Sequence, residues 1–143
     1  MDDKIPDYVD EQLAKDHFFT QSHGLTICDC MMNLPLLFWA GAETGHPVYG
    51  DVAREQIETT LKYFFREDDS IYHAYRFDDE GHPLGGENFC GFRADSAWAR
   101  GTSWLIYGLA IAYRYAGEKR YLDTSLRLFK KYALDCDETG VGF

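Results

Sequence analysis

Residues 31–65 read MMNLPLLFWAGAETGHPVYGDVAREQIETTLKYFF and contain two helical patterns that indicate the fold. Its first part, Met31 to Thr44, is apolar on nearly every side, which predicts a buried helix. Asp29 or Asn33 could cap this helix, and Pro35 is compatible with it only near the first turn. A helix of this composition belongs to the interior of a domain.

A second helix, about Val48 to Phe65, follows the turn at Gly45-His46-Pro47. It is amphipathic, so one of its faces should lie in water. Its apolar side carries Val52, Gln56, Ile57, Thr60, Leu61 and Phe64, and its charged side carries Asp51, Arg54, Glu55, Glu58 and Lys62. The two helices therefore form a hairpin with one inner and one outer helix.

The same hairpin occurs a second time further along the chain. An apolar helix is predicted over about Ser96 to Ala116, and an outer helix over about Lys119 to Asp135. A shift of 72 positions aligns the two hairpins and matches Gly45 with Gly117. The outer helix is expected to bury Leu122, Leu126, Phe129 and Ala133.

Between the hairpins, residues 70–77 (SIYHAYRF) favour a short strand, and a turn is expected over 78–86. Inner and outer helices used in this way build an α/α toroid. We therefore predict an all-α fold, a partial (α/α)6 toroid of about two helical hairpins with a short β excursion between them. Residues 1–143 are expected to form a single partial domain, since two hairpins cannot close a ring.

The composition excludes several classes of function. A formal net charge of −10 disfavours binding to nucleic acid and to anionic membrane surfaces. No apolar run approaches the roughly 18 residues that a membrane span needs. The opening residues, MDDKIPDYVDEQ, are acidic where a signal peptide would be basic and then apolar, so we expect a cytoplasmic protein.

The four cysteines, Cys28, Cys30, Cys90 and Cys136, show no spacing typical of a disulfide framework or of a zinc motif. We therefore expect free thiols, no metal site and no cofactor.

Two aspartates, Asp29 and Asp95, each precede a predicted inner helix, which would place both at the same end of a toroid. Aspartate is among the preferred residues at helix N-caps, so the pattern alone favours capping for both of them. Spacing by itself does not indicate a catalytic residue.

Two segments resemble one known family. Residues 27–40 (ICDCMMNLPLLFWA) are similar to the segment around the catalytic aspartate of the unsaturated glucuronyl hydrolases, glycoside hydrolase family 88, in which that aspartate falls on Asp29. Residues 95–101 (DSAWARG), followed by Trp104 and Tyr107-Gly108, are similar to a second signature of the same family.

The resemblance also implies substrate-binding residues. It places His73 on a substrate-contacting histidine and Arg100 on an arginine of the substrate site, and Trp98 or Trp104 would offer a stacking face to a sugar. From the residues alone, His73 is equally well explained as a structural histidine, and the two tryptophans as core residues. The acidic chain must attract an anionic uronide locally, and Arg100, Arg93, Arg76 and His73 are all candidates.

The chemistry implied is hydration of a vinyl ether. The partner would be a lyase-generated oligosaccharide that ends in a 4,5-unsaturated uronic acid, and Asp29 would act first as the acid and then as the base that activates water. A helix N-terminus favours an ionised carboxylate, which opposes proton donation. The family counters this with a second carboxylate in a histidine-aspartate motif on an earlier helix.

Several departures from the family pattern stand out. No match to the histidine-aspartate motif is present, since Asp16-His17 has the wrong order, and roughly a third of the family's chain is covered. Cys90 and Thr102 replace glutamines that are common in the family. An unsaturated rhamnogalacturonyl hydrolase and a non-catalytic carbohydrate-binding helical module are therefore kept as alternatives. The uncovered faces of two hairpins lead us to expect self-association.

Overall fold

The computed structural model of the chain describes residues 22–91, 93 and 95–134. Cys136 and the segment Asp16-His17-Phe18-Phe19 lie outside the described residues. The elements in chain order are β1 (Leu25–Ile27), α1 (Cys30–Thr44), α2 (Pro47–Tyr63), β2 (Ala74–Phe77), β3 (Pro83–Glu87), α3 (Ala99–Ala116) and α4 (Lys119–Leu134). The two predicted helical hairpins are confirmed as α1–α2 and α3–α4.

Both hairpins turn at a glycine in the same backbone conformation. Gly45 ends α1 and Gly117 ends α3, each with φ of 71°, in the left-handed region where a side chain would be strained. The N–H of Gly45 donates to the Gly41 carbonyl at 3.0 Å, and the N–H of Gly117 donates to the Tyr113 carbonyl at 2.8 Å. The two glycines matched by the 72-residue shift therefore have the same structural role.

The inner helices α1 and α3 pack against each other, and each also packs against the outer helix of its own hairpin. Gly108 allows the close approach of α1 and α3, because a Cβ at this position would overlap the carbonyl of Met31. The core between the helices contains Met31, Leu34, Phe38, Ala53, Ile57, Leu105, Leu109, Ala112, Tyr121 and Leu128.

The inner helices are less buried than their composition predicts. Leu36 is 65% exposed and Trp39 51%, both on α1, because nothing in the described part of the chain covers that side of the helix. On α4 the buried side chains are Tyr121, Ser125 and Leu128. The predicted Leu126, Phe129 and Ala133 are exposed. Within the described ranges, none of the helices has the length and apolarity needed to cross a membrane.

A three-stranded antiparallel sheet, in the order β1-β2-β3, connects the two hairpins. Only β2 falls within the predicted strand. The three residues of β1 are too few to show an alternating pattern, and β3 covers Gly85 and Gly86, which the sequence predicts as part of a turn. The ring of Tyr72 packs where a Cβ of residue 86 would lie, which explains why a glycine occupies this strand position. The β excursion is therefore larger than expected.

Substitution of Gly108 with alanine should destabilise the chain, because the new Cβ would collide with the Met31 backbone and separate α1 from α3. We expect a loss of about 1–3 kcal/mol in the free energy of unfolding, measured by chemical denaturation. Gly50→Ala is the control, since its Cβ would contact only the flexible end of Arg54 and should leave stability unchanged or raise it. Equal effects of the two substitutions would contradict this packing.

Candidate active site

The sheet places Asp29 beside His73. Strand β1 pairs with β2 so that Ile27 lies opposite Ala74, and the N–H of Cys28 then donates to the His73 carbonyl at 2.8 Å. Asp29 follows immediately at the start of α1. Its Oδ2 atom lies 3.9 Å from Nε2 of His73, a residue 44 positions further along the chain (73 minus 29).

The Asp29 side chain does not cap the helix, so the capping interpretation is wrong for this residue. A capping residue needs extended backbone, whereas Asp29 has φ of −61° and ψ of −21°, and its side chain makes no hydrogen bond to the first turn. Oδ2 instead accepts a hydrogen bond from the Cys28 thiol at 3.5 Å. The side chain is 31% exposed, so the carboxylate is free to meet a ligand.

His73 is 7% exposed and is enclosed by aromatic rings. The rings of Trp98 and Phe89 meet it edge-on, with centroids 4.6 Å and 5.8 Å away. Burial lowers the pKa of the imidazole below its ordinary 6.5; the charge of Asp29 opposes this shift, and that of Arg100 adds to it. His73 is therefore neutral at pH 7. Its Nδ1 atom has no hydrogen-bond partner among the described residues.

The loop that precedes α3 is held in place by two side chains from elsewhere in the chain. Nδ2 of Asn88 donates to the carbonyls of Arg93 and Ser96, at 2.6 Å and 2.9 Å. Nη1 of Arg66 donates to the same Ser96 carbonyl at 3.1 Å. Trp98, the last residue before α3, has an extended backbone conformation. The helix therefore begins at Ala99, whereas the sequence predicts a start at about Ser96.

Arg100 is the candidate cation that the geometry favours. Its guanidinium carbon lies 4.6 Å from the centre of the Trp98 ring, and it forms no ion pair within the described residues. The other two candidate arginines form ion pairs with carboxylates. Arg76 pairs with Glu87 at 2.6 Å, and Arg93 pairs with the exposed Asp95 at 3.1 Å.

The structure thus brings four of the five predicted site residues together, namely Asp29, His73, Trp98 and Arg100. Trp104 is half-buried on α3, and the ring contacts in the described part of the chain do not include it. Asp95 makes no cap hydrogen bond to α3, which begins four residues later. Two neighbours of the site, Cys28 and Phe89, were not among the predicted site residues. The position of Cys28 next to Asp29 is the one sequence signal for either of them.

Comparison with known proteins identifies the family of the chain. Residues 11–134 match the model of Glycosyl Hydrolase Family 88. The chain belongs to glycosyl hydrolase family 88. It is 39% identical to the unsaturated glucuronyl hydrolase of Bacillus sp. (strain GL1) over 122 residues, which cover 85% of this chain and 32% of that protein. It is 41% identical to the unsaturated chondroitin disaccharide hydrolase of Streptococcus pyogenes serotype M1 over 105 residues, 73% of this chain and 25% of that one.

The family 88 chain also matches solved structures. The crystal structure of the Bacillus sp. GL1 unsaturated glucuronyl hydrolase superposes with a TM-score of 0.78 at 39% identity, covering 82% of this chain and 32% of that one. An unsaturated glucuronyl hydrolase specific for heparin gives the same TM-score at 31% identity, over 82% of this chain and 33% of that one. The predicted fold, a partial (α/α)6 toroid, is confirmed. The chain spans between a quarter and a third of the length of these relatives.

Replacing Arg100 with glutamine should raise the pKa of His73, because a nearby positive charge that disfavours the imidazolium is removed. The pKa is measured by NMR titration of the imidazole, with Arg93→Gln as the control, since Arg93 pairs with Asp95. An unchanged His73 titration in the Arg100 variant would contradict the placement of this guanidinium.

The same shift predicts how stability depends on pH. Because the folded-state pKa of His73 lies below 6.5, the unfolded chain binds this proton first as the pH falls. The contribution of neutral His73 is complete above about pH 6.5 and is lost as the pH falls through the folded-state pKa. Denaturation at pH 7 and pH 5 should show a smaller loss of stability for His73→Gln than for the unsubstituted chain.

Proposed function

We propose that this family 88 chain acts in the removal of a 4,5-unsaturated uronic acid from the non-reducing end of lyase-generated oligosaccharides. The observation that carries the proposal is the Asp29 carboxylate, which sits at a helix N-terminus without capping it and lies 3.9 Å from a buried neutral histidine. The names of the relatives, which include unsaturated glucuronyl and chondroitin disaccharide hydrolases, support the same class of substrate.

The proposed reaction uses Asp29 twice. As the acid, its carboxyl group gives a proton to one carbon of the vinyl ether, and as the base it takes a proton from the water that adds to the neighbouring carbon. The hemiketal that results opens and releases the remaining sugar. The distance rule for paired carboxylates does not apply here, because no displacement at the anomeric carbon is involved.

The neighbouring side chains have separate roles in this proposal. Neutral His73 donates or accepts a hydrogen bond to the bound uronide without adding a charge. Arg100 attracts the uronate carboxylate, which a chain of net charge −10 otherwise repels. Trp98 offers an apolar ring next to both residues, and Trp104 is assigned a sugar contact by the family resemblance alone.

The direct test is turnover of an unsaturated glucuronyl disaccharide, followed as loss of absorbance by the double bond. The chain should show turnover that Asp29→Asn lowers by about 100-fold or more, because general acid–base catalysis typically contributes 10²–10⁴-fold. Asp95→Asn is the matched control, since Asp95 is exposed and paired with Arg93, and it should retain the rate. Equal turnover by the chain and by Asp29→Asn would contradict the role of Asp29. Sugar binding without turnover in the unsubstituted chain would favour the non-catalytic module instead.

We also propose that the 143-residue chain associates with itself through the uncovered side of α1, where Leu36 and Trp39 are exposed. Sedimentation velocity should show a mass that rises with concentration, and Leu36→Lys should weaken this association. Glu55→Lys, a change on an exposed residue of the outer helix α2, is the control. A single monomeric species at every concentration would contradict the proposal.

A further inference from the structure

Three side chains with metal-binding atoms converge at the start of α1. The Cys28 sulfur, a carboxylate oxygen of Asp29 and a ring nitrogen of His73 all lie within 4.8 Å of one another. Cys28 is fully buried and His73 is 7% exposed, while Asp29 is 31% exposed and opens the group to solvent. The sequence does not reveal this group, because His73 lies next to strand β2, far along the chain from Cys28.

Two of the three distances between these atoms are close to those of a tetrahedral zinc site. Zinc bond lengths near 2.3 Å to sulfur and 2.1 Å to oxygen or nitrogen require ligand atoms about 3.6 Å apart for sulfur and oxygen and about 3.4 Å apart for nitrogen and oxygen. The Cys28 Sγ–Asp29 Oδ2 distance is 3.5 Å, and the His73 Nε2–Asp29 Oδ2 distance is 3.9 Å. The Cys28 sulfur and the His73 ring nitrogen lie within 4.8 Å of each other, so the imidazole must move toward both partners to complete the geometry.

The two buried groups place different demands on zinc binding. Burial and the charge of Asp29 raise the pKa of the Cys28 thiol well above its usual range, so zinc must displace a firmly held proton. The Nδ1 atom of His73 is buried and makes no hydrogen bond within the described ranges, so no hydrogen bond at that atom opposes a shift of the ring toward the ion. The sulfur of Cys28 is held against the site by α3, since a Cβ on Gly101 would lie 2.6 Å from it. Thiolate and imidazole ligands select zinc over magnesium or calcium, which prefer oxygen.

We propose that Cys28, Asp29 and His73 form a reversible binding site for Zn²⁺, with the fourth position open to solvent. On binding, the Cys28 thiol loses its proton to solvent, and sulfur, carboxylate and imidazole each donate a lone pair to the ion. This departs from the sequence expectation of no metal site. A consequence that rests on the proposed function is that bound zinc occupies the carboxylate of Asp29 and stops turnover until a chelator removes the ion.

Binding is tested without substrate, so its result is independent of whether the chain is catalytically active. The chain, kept reduced, competes for Zn²⁺ with a chromophoric chelator, and we expect one ion per chain. Cys28→Ala and His73→Gln should each weaken this binding at least tenfold. The matched controls are Cys90→Ala, which removes an exposed thiol, and His82→Gln, which removes the histidine of an exposed acidic cluster; both should bind as the unsubstituted chain does.

A second measurement does not depend on how the variants fold. With Co²⁺ in place of zinc, the unsubstituted chain should show a thiolate-to-cobalt charge-transfer band in the near ultraviolet and the visible bands of a tetrahedral ion. Absence of the thiolate band, or Zn²⁺ affinity that is unchanged in a folded Cys28→Ala variant, would overturn the proposal. Equal binding of Mg²⁺ and Zn²⁺ would overturn it as well.

Discussion

The hydrogen bond from the Cys28 N–H to the His73 carbonyl is the contact on which the site depends. It extends the pairing of β1 with β2 by one residue and so fixes where α1 starts relative to the second strand. Asp29 enters the helix with helical backbone angles as a result, and its side chain cannot reach back to the first turn. The carboxylate is therefore left for the groups around it, the Cys28 thiol and the His73 imidazole.

Two glycines of α3 hold this arrangement against the second hairpin. Gly108 lets α3 approach the backbone of α1 at Met31, and Gly101 leaves room for the Cys28 sulfur and the Trp98 ring. Because Trp98 and Arg100 lie at the N-terminus of the same helix, the close packing of α3 also brings them to His73. The same two glycines thus permit both the packing of α3 and the assembly of the site, so substitutions at Gly101 and Gly108 should disturb both.

The helical hairpins could be predicted because their signals are local: long apolar or amphipathic runs, and glycines at matching positions such as Gly45 and Gly117. The sheet could not be predicted in full, because the three residues of β1 are too few to show a pattern and the two glycines of β3 are typical of a turn. Family resemblance identified Asp29 and His73, but no local pattern states that they meet. The choice of Arg100 over Arg76 required knowing that Glu87 already pairs with Arg76. Burial of α1 was overestimated because composition does not show which neighbours are present.

Whether Asp29 is held for chemistry rather than for capping α1 is tested most directly by comparing the free energies of unfolding of Asp29→Ser and Asp29→Ala. Serine restores a cap wherever the backbone allows one, and a cap is worth about 0.5–2 kcal/mol relative to alanine. With helical angles at residue 29, neither substituted side chain can cap the helix, so we expect the two variants to be equally stable to within about 0.5 kcal/mol. A serine variant more stable than the alanine variant by about 1 kcal/mol or more would contradict it.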